Sequence, residues 1–134
     1  MIKTREFRCI LATLSVVLIL TASIPLLWAQ GISGVRVVAS AQNYRGPCPA
    51  KIRFTGTIRI NKGPMTLNYQ WERSDGAKGE VMVRRVSNPN ARTVTVVDTW
   101  ELSATHKEVW VKLRVRCGNE DVTSEPAHVT INCR

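Results

Sequence analysis

The sequence predicts an all-β fold: about seven strands packed as two antiparallel sheets in a sandwich. Three observations predict it. From residue 35 onward, apolar and polar residues alternate with period two. Clusters of Gly, Pro, Asn and Asp interrupt that alternation at short intervals, as turns do. No stretch of the same region repeats its apolar residues with a helical period.

The chain has 134 residues, enough for one domain with a modest core. Its start is not part of that core. Lys3, Arg5 and Arg8 precede an apolar run from Cys9 to Leu20, which continues more loosely to Ala29. Pro25 and the small residues of "AQG" (Ala29 to Gly31) complete the layout of a secretory leader with its processing site. Residues 1–31 therefore read as a signal peptide and residues 32–134 as a single exported domain. The rival reading is an uncleaved N-terminal anchor, because Cys9 to Ala29 reaches the roughly 20 residues that cross a bilayer. Both readings place the domain outside the cytoplasm, secreted, periplasmic or held at the cell envelope, since the basic end stays inside.

The strands follow in order. "VRVVAS" (Val35 to Ser40) reads as a first, edge strand. In "KIRFTGTIRI" (Lys51 to Ile60), Ile52, Phe54, Ile58 and Ile60 share one face, and Lys51, Arg53, Thr55, Thr57 and Arg59 share the other. "MTLNYQWER" (Met65 to Arg73) turns Met65, Leu67, Tyr69 and Trp71 inward. "SDGAKG" supplies a turn, with Gly76 free to take positive φ. "EVMVRRV" (Glu80 to Val86) is the return strand, and "SNPNA" (Ser87 to Ala91) is a loop. In "RTVTVVDTWEL" (Arg92 to Leu102), Val94, Val96, Trp100 and Leu102 form one face only if Asp98 lies among them. A bulge near Val97 is expected to resolve that conflict.

"EVWVKLRVRC" (Glu108 to Cys117) alternates most cleanly. Val109, Val111, Leu113, Val115 and Cys117 face one way, and Trp110, Lys112, Arg114 and Arg116 the other. "AHVTINC" (Ala127 to Cys133) closes the chain with Ala127, Val129, Ile131 and Cys133 aligned. This spacing of strands fits a sandwich of immunoglobulin-like size, with Trp71 as the buried tryptophan of the third strand.

The formal net charge is +9, which favours anionic partners. No catalytic constellation is legible, so an enzyme is not expected and no cofactor is implied. His106 and His128 stand at no motif spacing from a nucleophile or a carboxylate. A copper centre would need two His, a Cys and usually an axial Met, and no Met follows His128. No metal site is expected. The one feature above background is the outward row Trp110, Lys112, Arg114 and Arg116, with His128 on a neighbouring strand. Side chains at alternate positions there lie about 6.6–7 Å apart, a cationic row with an aromatic at one end. The plainer account is a charged face that keeps an exposed sheet soluble.

Five stretches together resemble a known family. These are "YRGPCPAKIRFTGTI", "NYQWERSDGA", "TVTVVDTWEL", "WVKLRV" and "TSEPAHVTINC". They are similar to a bacterial exported Ig-like domain family, in which a Tyr-x-Gly-x-Cys-Pro corner opens the second strand. In that family a Tyr-x-Trp-x-x-Ser-Asp-Gly stretch carries the third strand, and the last strand closes on Cys. The resemblance covers Tyr44 to Cys133 and implies the fold, with no catalytic residues. Cys117 departs from its pattern. In an Ig-like strand order, Cys48 and Cys133 stand at the same pole and Cys117 at the other. A strand of about ten residues spans roughly 33 Å, whereas a disulfide tolerates only about 4.4–6.8 Å between Cα atoms. Cys48–Cys133 is therefore the expected bridge, agreeing with the family pattern, and Cys117 is left over.

The expected function is a non-enzymatic binding, adhesion or cell-envelope interaction module. The alternative is a secreted cationic effector or inhibitor that binds an acidic partner or anionic polymer. Expected partners are an anionic envelope polymer, a glycan or a protein. Nucleic acid is disfavoured, and membrane attachment follows only if the N-terminal segment stays uncleaved.

Overall fold

A computed structural model describes residues 31–61 and 63–134, with no account of the His106 and Lys107 side chains. The leader reading falls on residues outside this range, Gly31 apart. The described residues form strands and no helix: β1 (Ile32–Ala39), β2 (Asn43–Gly46), β3 (Ala50–Ile60), β4 (Met65–Arg73), β5 (Met82–Val86), β6 (Thr93–Leu102), β7 (His106–Cys117), β8 (Glu120–Thr123) and β9 (Ala127–Cys133). The chain is an all-β sandwich of two sheets. One sheet has the order β1-β3-β6, and the other β2-β9-β7-β4-β5, with β8 also on β7.

The inward faces of the alternating strands meet between the sheets. Phe54, Ile58, Leu67, Val111, Leu113, Val115 and Ile131 are wholly buried, and Trp71 lies among them as expected. The nine strands exceed the expected seven or so by β2 and β8. Both have only four residues, too few for a period to show. β2 runs parallel to β9, with Gly46 opposite Cys133, and Tyr44 donates its hydroxyl to the Pro47 carbonyl. The Gly-Pro-Cys-Pro corner is thus held from three sides. The Cys48–Cys133 disulfide closes it, with Cα atoms 5.5 Å apart, and Arg134 donates its N–H to Gly46.

Three expectations need correction. First, β3 and β6 pair without any register shift, so there is no bulge near Val97. Asp98 stays on the inward face, where Arg73 of the opposite sheet meets it. Second, Cys117 is not left over. No described cysteine is free, and Cys117 is itself disulfide-bonded. Third, the return strand begins at Met82, not Glu80. Gly76 does take positive φ, and Asp75 accepts the Ala77 N–H. The connection is nonetheless wider than a tight hairpin, since Gln70 and Trp71 both bond to Gly79 across it.

Candidate functional site

β7 lies between β9 and β4, so its outward side chains stand at the middle of the larger sheet. Register sets Trp110 beside His128, Lys112 beside Glu72, and Arg114 beside Gln70. The structure therefore brings the expected row and His128 onto one face. The Lys112 ammonium sits 4.7 Å from the centre of the Trp110 ring, a cation–π contact.

That face also carries its own counter-charges. β8 pairs with the far half of β7 and sets Asp121 opposite Arg116. The Asp121 carboxylate accepts from Arg114 Nε at 2.9 Å and again from its Nη2, and from Arg116 Nε at 3.3 Å. The Arg114 fork holds the Asp121 carboxyl below its usual range, with attraction from Arg114 and Arg116 adding to the effect. The Arg114 guanidinium is pushed up in turn, chiefly by that hydrogen bond. At the other end His128 Nδ1 is paired with Glu108. Two of the three cations and the histidine are thus paired with carboxylates within the protein, and Lys112 lies over the Trp110 ring. Asp121 escaped the sequence reading because it sits in a short strand with the composition of a loop.

The outer face of the three-stranded sheet is different. Arg36, Lys51, Arg53 and Arg59 are exposed there and form no salt bridge among the described residues. Direct register aligns Arg36 with Thr57 and Thr95, and Val38 with Thr55 and Val97. Val38 and Val97 are 52% and 43% exposed, which makes an apolar stripe between two basic ends. Beside it, Ser33, Gly34, Arg36, Val38, Thr57 and Arg59 line an open depression of about 500 Å³.

The arrangement suits recognition of a ligand on a flat face. The described residues contain no group of three or more His, Cys, Asp and Glu side chains that could hold a metal ion.

No protein-family model and no curated protein matches the chain. Among solved structures, it is similar to a CARDB domain from Pyrococcus furiosus, which was crystallised in complex with di-metal ions. The TM-score is 0.55 at 8% identity, over 75% of this chain and 94% of that one. At that identity the likeness concerns the fold: this chain is an Ig-like β-sandwich.

Proposed function

We propose that the chain is a non-enzymatic, exported Ig-like binding module that engages an anionic partner at the cell envelope. The observation that carries this reading is the set of exposed cations on a flat strand face: Arg36, Lys51, Arg53 and Arg59 form no salt bridge among the described residues, with Glu101 standing opposite Lys51 in the register. Unpaired guanidinium groups at strand spacing offer forked donors to carboxylate or sulfate groups. The likeness to a CARDB domain supports a modular, Ig-like role.

The test is a binding screen of the purified chain against acidic and neutral glycans, anionic vesicles and nucleic acid, at low salt and at high salt. Binding to an anionic probe that weakens as salt rises is the expected result, since exposed charges are screened over about 8 Å at physiological ionic strength. An absence of binding to every anionic probe at low salt would overturn the reading.

A further inference from the structure

Resting on that reading, we infer that the ligand is an extended acidic polysaccharide, and that it lies on the outer face of the three-stranded sheet with one anionic group seated at Gly34. The site begins with a bulge. Ile32 pairs with Ile60 and Gly34 with Arg59, so the register shifts at Ser33. A bulge re-aims the residues around it. Here it lets Ile32 and Val35 both point inward and leaves Gly34 on the outer face.

Gly34 has nothing within 4 Å of the position a Cβ would take. Its missing side chain opens the floor of the depression lined by Arg36 and Arg59. Arg59 stands opposite Gly34, and Arg36 stands opposite Thr57 one step along. The two arginines are therefore diagonal neighbours across the strand pair, with backbones about 7–8 Å apart. Two forks at that separation, over a floor without a side chain, fit a sulfate or carboxylate between them.

The rest of the face extends the site along β3. From Arg59 to Arg53 the strand runs about 20 Å, past Thr57 and Thr55, whose hydroxyls face outward with that of Thr95 alongside. Hydroxyls and a valine stripe suit the alternating O–H and C–H surfaces of a sugar chain. Among the described residues no aromatic side chain stands on this face, because Phe54 and Trp100 of β3 and β6 point into the core. Single-stranded nucleic acid needs stacking platforms, so the same cations favour a polysaccharide over it.

The experiment measures binding of the full chain to heparin, polygalacturonate, neutral dextran and a single-stranded oligonucleotide. Three variants are compared with the wild type: Arg36→Ser/Arg59→Ser, Gly34→Ile, and Lys112→Ser/Arg116→Ser. The first and third remove equal charge from opposite faces. The second removes none and fills the depression, and Gly34 does not have positive φ, so a β-branched residue fits its backbone. Circular dichroism and melting confirm that each variant is folded.

The expected result is binding to one or both acidic polysaccharides, weakened about tenfold or more by the first variant, the loss of about 1.4 kcal/mol. Gly34→Ile should weaken it comparably, and the third variant should stay near the wild type. Wild-type binding by Gly34→Ile, with equal loss from the two charge variants, would overturn the site while leaving anionic binding intact. So would a larger loss from Lys112→Ser/Arg116→Ser. An oligonucleotide bound as tightly as the polysaccharides, with the same sensitivities, would overturn the choice of ligand. No binding to any polyanion would overturn this inference together with the reading beneath it.

Discussion

Arg73 of β4 reaches across the sandwich to Asp98 of β6, with 3.1 Å between guanidinium nitrogen and carboxylate oxygen. Each is on the inward side of its own sheet, and each is about a quarter exposed. The guanidinium also lies 5.1 Å from the centre of the Trp100 ring and approaches the Thr99 carbonyl. A carboxylate on the apolar face of β6 is tolerated because a cation from the other sheet answers it. Asp98→Ala leaves Arg73 half-buried without its partner and should destabilise by about 1–3 kcal/mol. A double-mutant cycle with Arg73→Ala in urea should give a coupling on the order of 1 kcal/mol. Zero coupling would make the pair a bystander.

Gly56 of β3 lies under the Trp71 indole. A Cβ at Gly56 would come 2.5 Å from Leu113 Cδ2 and 3.1 Å from Trp71 Cη2. Glycine in a strand interior often marks such a close approach. Gly56→Ala should cost about 1–3 kcal/mol through overpacking, and less in a Trp71→Phe background, where the ring is smaller. Trp71→Ala alone should cost about 3–5 kcal/mol. Melting curves of the three variants decide it. An unchanged stability for Gly56→Ala would mean that Leu113 and the indole both have room to move.

The Cys48–Cys133 bridge joins residues 85 apart in sequence. A loop of that length gives about 4–5 kcal/mol in the chain-entropy model. The paired replacement Cys48→Ser/Cys133→Ser should lower the melting temperature markedly and free the parallel β2 from β9. Serine substitution is a cleaner test than reductant, because Cys117 is also bonded. Non-reducing peptide mapping that joined Cys48 to Cys117 would contradict this connectivity.

Local pattern carried most of the fold. β4 and β9 have the bounds that the alternation indicates, and the inward set of β7 is Val109, Val111, Leu113, Val115 and Cys117. What escaped depends on distant partners. Asp98 looked like a misfit because Arg73 is 25 residues away and on the other sheet. β2 pairs in parallel with a strand at the far end of the chain, which no local period reveals. The Trp110, Lys112, Arg114 and Arg116 row was legible as a face, but its charge balance was not, because Asp121 arrives from a four-residue strand. The depression at Gly34 depends on a bulge at Ser33, which lies outside the strand Val35 to Ser40 that the alternation indicates.

Asp121 offers a test that joins stability to charge. Its carboxyl is held low first by the hydrogen bond from Arg114, then by attraction from Arg114 and Arg116. A folded-state pKa below the unfolded value, near 3.9, gives a stabilisation present above that value and lost as pH falls through the folded one. The wild type should therefore lose melting temperature on the acid side of about pH 4, from this group, while Asp121→Asn lacks that component. The pair is exposed, so the difference should be small and should shrink in 1 M salt, where screening acts within about 3 Å. At neutral pH, Asp121→Asn also releases Arg114 and Arg116 from their shared counter-charge. It should then strengthen polyanion binding on the larger sheet, where the wild type is internally compensated. Parallel acid melting profiles for wild type and Asp121→Asn, with no change in heparin retention, would show that the Asp121 fork neither stabilises the sandwich nor masks its second basic face.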